Sequence, residues 1–382
     1  MTGTNSPGAS PFAPLSQERI AAARAQYGHS VDQYIKFLNV GDPLADALVR
    51  SLEERELGDP FPLVTRAVAS GIASVDNAPP ELIALFEQLD DVPPWVDWER
   101  LKIGSGKIIR NALLPTMSLA VYALPHAYLA TGNKPLAFSN TLLANTARRY
   151  AITTRFVTEA FMPGSLRRHA DGFKLAVITR ILHARIRRRI LTSGRWDPAL
   201  GVPLNQAHMA MATVIFSSFV LEGMRRLGAR FTTEDTESIL LVWRYIGYLM
   251  GVDSEILCAS ASEEKRLVDA AFSLEFDPDD DSVRLCRSLF DAAPGFMRIE
   301  RPRVARLFVK LLYALSRRLL GDELADRLGY PAEKHRVLCF AGISVAWLLE
   351  RFPVLTPPQL RRYMGVKFWI EQGNYDLRLY QL

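Results

Sequence analysis

The sequence predicts an all-α protein with a single large helical domain, and three observations carry that prediction. Apolar residues recur at the three-to-four-residue spacing of helices along almost the whole chain. Runs that alternate apolar and polar residues between turn dipeptides, the mark of strands, are nearly absent. The 382 residues also contain no long polar linker. A prior of roughly 150 residues per domain allows two or three domains, but nothing divides the chain. Residues 16–382 are therefore read as one domain behind a disordered Ser/Pro/Gly-rich tail over residues 1–15. With 49% hydrophobic residues and a mean hydropathy of +0.04, the chain can bury a large core.

The first helix is expected after Ser16 as N-cap and before Gly28 as stop. Asp42-Pro43 and Asp59-Pro60 mark two more starts, because proline suits a first helical turn, where its missing N–H has no partner anyway. A short helix follows Pro79-Pro80, and another begins between Trp95 and Trp98. The apolar run from Gly104 to Thr131 contains Pro115 and Pro125, and a kink or break is expected at each. Two helices joined at Pro163-Gly164 fill Ala147 to Leu191. The nearly all-apolar segment from Ala207 to Gly228 reads as a central helix. Thr-rich and acidic residues at Thr232 to Asp235 suit the start of the next one. The acidic stretch Pro278 to Ser282 is a loop or cap, and amphipathic segments follow at Val304 to Leu320, Glu333 to Arg351 and Pro357 to Glu371.

Several function classes are disfavoured. A formal charge of +5 with dispersed arginines lacks the dense basic stripe of a nucleic-acid-binding protein. Cys258, Cys286 and Cys339 cannot all pair and show no metal-ligand spacing, which suits reduced thiols and a cytoplasmic location. The first residues lack the basic and apolar regions of a signal peptide. No transmembrane segment is expected, since Met209 to Leu221 and Val337 to Leu349 both fall short of about 20 apolar residues. The nucleophile elbow, the P-loop, the dinucleotide fingerprint and HExxH are all missing. Between Glu99 and Asp171 the only acid is Glu159, so two-carboxylate hydrolysis has little support there.

The stretch from Ala147 to Leu191 holds the candidates. Arg149 and Thr153 stand one helical turn apart, on one face. If buried, they supply fixed hydrogen-bond donors of the kind a bound dioxygen or a developing oxyanion needs; if exposed, they are an ordinary arginine and threonine. His183 lies at the edge of a stripe of Leu175, Ile178, Leu182 and Ile186. It is either a hydrogen-bonded structural residue or a neutral imidazole able to hold a haem iron. Arg185, Arg187, Arg188 and Arg189 read as a solvated face near a helix C-terminus. The alternative is pairing with haem propionates, for which Arg187, one turn past His183, is best placed. His126 and His208 are isolated, and His208 reads as a packing residue.

Together, GDPLADALV from Gly41, Arg149-x-x-x-Thr153-x-x-Phe156-Val157, RILHARIRR around His183, VPLNQ from Val202, EGMRRLG from Glu222 and WRYIGYLMGV from Trp243 resemble the rubber oxygenase family. That family includes the bacterial latex-clearing proteins and a fungal oxygenase that cleaves a farnesyl side chain in mycophenolic acid biosynthesis. The resemblance covers roughly Asp42 to Val252 and rests on the order and spacing of the motifs, with His183 thirty residues after Thr153. It implies a globin-like core around one haem b, with His183 as iron ligand and Arg149 and Thr153 on the distal side. It also implies dioxygen as co-substrate and cleavage of an isoprenoid double bond into two carbonyl ends. Two positions depart from the latex-clearing pattern: Ile152 stands where a distal lysine precedes the threonine, and the position of a glutamate base falls near Asn133.

The expectation is a cytoplasmic, b-type haem oxygenase acting on an apolar, isoprenoid-like small molecule, with an electron donor of unknown identity if one is needed. His183 holds the iron, Arg149 and Thr153 face the oxygen, and Arg187 pairs with a propionate; either another group such as His126 takes the proton or the protein does different chemistry. The alternatives are a haem-binding sensor or carrier without turnover, and a helical scaffold that binds a partner or anionic surface through Arg185 to Arg189 without a cofactor.

Overall fold

Side-chain caps set where the helices begin. In the computed structural model, which describes residues 15–332 apart from 56–58, 112, 139–145 and 298, the Ser16 hydroxyl accepts the Arg19 N–H ahead of α1 (Gln17–Tyr27). Gly28 ends that helix at φ +58°, and α2 (His29–Leu38) starts at once. Asp42 and Asp59 accept the N–H groups of Ala45 and Phe61 at the heads of α3 (Pro43–Glu54) and α4 (Pro60–Ser70). After α5 (Pro80–Asp90), Asp97 caps α6 (Trp98–Arg110). Each such cap contributes about 1 kcal/mol.

Of the two prolines of the apolar run, Pro115 follows the expected break, where the axis bends by 80°, and Pro125 does not break the helix. The chain leaves α6 at Asn111, and Pro115 falls in the first turn of α7, where its missing N–H matters little. α7 runs through Leu113–Ser118, a π turn at Leu119–Ala123, and Leu124–Ala127. No break occurs at Pro125, because the wider π turn just before it carries the Leu124 N–H to the Leu119 carbonyl.

Single helical turns at Thr131–Asn133 and Lys134–Ala137 lead on towards α8 (Thr146–Ala160). A connection containing Pro163 and Gly164 (φ +77°) joins α8 to α9 (Asp171–Thr192). α10 spans Gln206–Arg226 with a second π turn at Ile215–Phe219. This corrects the reading of that segment as too short to span a membrane: its 21 residues suffice by length and composition, although 61% of its most apolar window is buried against the rest of the protein.

A reciprocal Thr232/Asp235 capping box opens α11 (Thr233–Leu249), Ser260 caps α12 (Ala261–Glu275), and Asp279 with Ser282 opens α13 (Asp280–Phe296). α14 (Pro302–Leu320) and α15 (Asp322–Arg327) complete the described chain. Among the described residues the only β feature is an isolated antiparallel bridge between Ala130 and Phe276. The expected tail over 1–14, Cys339 and the segments Glu333 to Arg351 and Pro357 to Glu371 lie outside the described residues.

The buried apolar residues form two clusters. The larger draws on α3 to α11 and α13 to α15; the smaller joins α1, α2, the start of α10, residues 252–257 and α12 around Val31, Phe37, Ala210 and Leu274. Trp95, Phe219, Tyr248, Met250 and Phe272 pack against both.

One buried acid stands out. Glu264 of α12 reaches the π turn of α10, where Ser217 Oγ donates to its Oε1 at 2.7 Å and Ser218 donates to the other oxygen. Burial pushes its carboxyl up to about 7, against the pull of the serine hydrogen bonds. Because the folded-state value lies above the ordinary one, the associated stability is full in acid and is lost as pH rises through about 7. Glu264→Gln should remove that dependence: between mildly acidic and mildly alkaline pH the wild type should lose up to ~3 kcal/mol more than the variant in denaturant titrations. The buried histidines are common to both proteins and cancel in the difference; parallel profiles would contradict the assignment.

Candidate functional site

A cavity of about 380 Å³ lies where α8, α9 and α10 meet, with a largely apolar wall. From α8 it takes Arg149, Ile152, Thr153 and Phe156; from α9, Thr179, Leu182, His183 and Ile186. Met209, Met211 and Phe216 of α10 and Trp243 of α11 add apolar surface. Arg149, Thr153 and His183 thus line one cavity, as do Ile152 and Asn133. A volume in this range suits a small organic ligand.

Burial, reinforced by the nearby Arg187 charge and opposed by Asp42, lowers the His183 pKa to about 4, so the imidazole is neutral at pH 7. Its Nδ1 is buried and has no hydrogen-bond partner. The Arg149 guanidinium is hydrogen-bonded to the hydroxyl of Tyr128, another cavity residue. Among the described residues no three His, Cys, Asp or Glu side chains cluster closely enough to hold a metal ion by themselves.

Arg187 is placed differently from expectation. It is 3% exposed, lies outside the cavity lining, and gives its donors to the protein: Nε to the Pro203 carbonyl at 3.1 Å, Nη2 to the Leu204 carbonyl at 2.7 Å, and Nη1 to Asp46. Of its neighbours, Arg185 pairs with Asp59 and Arg188 with Glu53. Arg180, on the other side of His183, is equally buried and makes a two-point bond to Asp42 (Nε–Oδ2 2.6 Å, Nη2–Oδ1 2.9 Å), with Nη1 on Gln88 at 2.6 Å. The His183 helix is therefore held to α3 by an ion pair on each side of the histidine, fully buried at Arg180–Asp42 and half-buried at Arg187–Asp46.

Four of the six motifs that carry the resemblance meet at this clamp. Gln206, at the end of VPLNQ, donates to the carbonyls of Gly41 and Gly251 and accepts the Asp253 N–H. Gly251 adopts φ +78°, and a Cβ there would lie 2.4 Å from both Arg180 Nε and Asp42 Oδ2, so only glycine fits.

Two further cavity residues escape the sequence reading. His208, taken as packing, directs Nε2 at Glu275 (2.9 Å to Oε1, 3.1 Å to Oε2), and both side chains are over nine-tenths buried. Tyr34 and Thr131 also donate to Glu275, at 2.5 and 2.7 Å. Burial raises the Glu275 carboxyl, but the His208 charge and these hydrogen bonds outweigh it and hold it below the ordinary value. His126 is not part of the lining: its Nδ1 meets the Tyr122 carbonyl at 2.9 Å, and burial lowers its pKa to about 4. A sequence signal for Glu275 exists, since Glu264 and Glu275 stand three turns apart on the face of α12 that carries Leu267 and Ala271.

A neutral imidazole, an arginine and a threonine line a largely apolar cavity between helices, a concave site of the kind small-molecule ligands occupy. Residues 108–351 match the family model described as ER-bound oxygenase mpaB/B'/Rubber oxygenase, catalytic domain, and the chain belongs to that oxygenase family. It is 24% identical over 340 residues to a rubber oxygenase from a Streptomyces species, covering 83% of this chain and 76% of the relative. Its fold is similar to the structure of latex clearing protein LCP in the closed state, with a TM-score of 0.63 at 20% identity, over 87% of this chain and 91% of that one.

Asp42→Asn should test the clamp. Leaving the Arg180 guanidinium buried without its counter-charge is expected to cost about 3–5 kcal/mol in denaturant unfolding; a loss below about 1 kcal/mol would show that the pair does not hold α9 in place.

Proposed function

We propose that the protein is a haem b-dependent oxygenase that uses dioxygen to oxidise an apolar, isoprenoid-like small molecule, by double-bond cleavage or a related oxidation. The observation that carries this reading is the meeting of Arg149, Thr153 and His183 on one apolar cavity, from helices adjacent in sequence. The donor set fits the group. A lone imidazole, neutral because it is buried, is a donor that a haem iron accepts from a protein, and the apolar lining suits both a porphyrin and a hydrocarbon chain.

His183 would hold the iron, and haem bound there would supply the redox chemistry that activates dioxygen. Arg149 would supply positive charge and N–H donors to oxygen bound in the cavity, and Tyr128 restrains its guanidinium. Thr153 shapes the same part of the pocket, and Ile152 keeps it apolar. Arg187 acts at a distance, by fixing the pitch of α9 through Asp46 and the 203–204 carbonyls. In a double-bond cleavage the balance is simple: one C=C and one O₂ give two C=O groups. Asn133 and Ile152, neither of which is acidic or basic, favour as a second reading a haem-binding sensor or carrier without turnover.

Oxygen uptake with isoprenoid alkenes, together with product carbonyl analysis, separates the two: the oxygenase consumes oxygen and the carrier does not. Arg149→Leu should retain haem while slowing uptake about a hundredfold. His183→Ala should lose haem altogether, and full haem occupancy in that variant would contradict the ligand assignment.

A further inference from the structure

Exposed apolar side chains gather at one place on the described surface. Of seven exposed large apolar side chains, four lie singly on other elements, while Met297, Val304 and Leu307 (37, 46 and 47% exposed) fall together at the start of α14 and just before it. Helical spacing sorts the first half of α14 into three stripes. Phe308, Val309 and Leu312 face inward, onto the larger core cluster. Val304, Leu307 and Leu311, at i, i+3 and i+7, form a second apolar stripe that runs from exposed at its first two members to half-buried at the third. Arg303, Arg306 and Lys310, all exposed, repeat the same spacing beside it. A helix that only had to pack would need the first stripe alone.

The charges on this strip are unbalanced. Arg301, the N-cap residue, joins the basic stripe, and Glu300 is the only acid from residue 297 to residue 321. Arg185 and Arg188 of α9 each have an acid beside them, but among the described residues none of Arg301, Arg303, Arg306 and Lys310 forms an ion pair. The first turn of α14 also has no acid and no side-chain cap, whereas α11, α12 and α13 each open on two acids. Cations at the positive end of a helix are disfavoured, so an anion brought to them is favoured by the side chains and by the helix end alike. A stable protein interface takes roughly 20 residues a side, far more than this strip offers. A bilayer needs only a strip, takes up its apolar side chains, and presents anions to cations whose long stems lie beside them.

We infer that the first half of α14 is a lipid-docking strip: Val304, Leu307 and Leu311 enter the acyl boundary of an anionic bilayer while Arg301, Arg303, Arg306 and Lys310 hold its phosphate groups. The inference goes beyond the oxygenase reading. That reading enters only in the use such docking has, since an apolar substrate concentrates in a bilayer.

The test is flotation of the full-length protein, as purified, with vesicles of phosphatidylcholine alone and of phosphatidylcholine mixed equally with phosphatidylglycerol. At low salt the anionic vesicles should be bound at least about tenfold tighter, and about 0.5 M salt should remove most of that difference. Arg303→Gln with Arg306→Gln and Lys310→Gln should bring the two vesicles within about twofold of each other. Val304→Ser with Leu307→Ser should weaken binding to the anionic vesicles at least about fivefold. These positions are exposed or carry no ion pair, so both variants should keep the wild-type melting temperature. No binding to either vesicle, equal binding to both, or undiminished binding by both variants would overturn the inference. Hydrogen exchange needs no variant: anionic vesicles should protect the amides of residues 303–311, and protection only elsewhere would overturn it too. Self-association without lipid that Val304→Ser with Leu307→Ser abolishes would give the strip to a second copy of the chain and remove the lipid assignment. None of these readouts involves haem or turnover, so this inference and the oxygenase reading fail separately.

Discussion

Arg180 and Arg187, three residues before and four after His183, are buried arginines bound to Asp42 and Asp46 of one neighbouring helix, and the rest of the site depends on them. A buried ion pair contributes little net stability, since desolvation offsets most of its attraction, yet losing one partner is severe. The value of such a pair is therefore positional. Two pairs bracketing one histidine fix both the rotation and the height of α9, which is what a side chain with a single chemical task requires. The same acids serve elsewhere: Asp42 caps α3, and Asp46 accepts from the Asp42 N–H. Through Gln206 the clamp continues into the start of α10, so the helix carrying His208 is registered against the helix carrying His183.

The two π turns belong to the same logic. Leu124 follows one directly, and Ile215 and Phe216 sit inside the other; all three line the cavity. An inserted residue changes which face a helix presents on either side of it. α10 can thus line the cavity over Met209 to Phe216 and still bury Val220, Leu221 and Met224 in the larger cluster. Glu264 bound to Ser217 and Ser218 marks the place where that change of face is held.

Much of this was legible in the sequence, for local reasons. Ser16, Asp42, Asp59 and Thr232 announce helix starts because a cap is satisfied within three residues. Arg149 and Thr153 share a face by helical geometry alone, and the order of the motifs led to the oxygenase family. What stayed hidden depends on contacts across the fold. A charge at Arg187 reads as solvated until Asp46 is seen beside it. His208 reads as packing because Glu275 lies 67 residues away. Pro125 reads as a break because a π turn leaves no signature in composition. Glu275, on a buried helix face, meets His208, Tyr34 and Thr131 from positions that no local pattern connects.

Whether His183 and this cavity hold haem decides between an oxygenase and a pocket with a structural imidazole. The most direct measurement is an absorption spectrum of the purified protein, as isolated, after reduction and under carbon monoxide, with iron quantified on the same sample. The account predicts a Soret band that moves on reduction and again with carbon monoxide, at about one iron per chain. A colourless, iron-free protein that takes up no added haemin would contradict it, and would leave His183 as a structural imidazole in an apolar pocket.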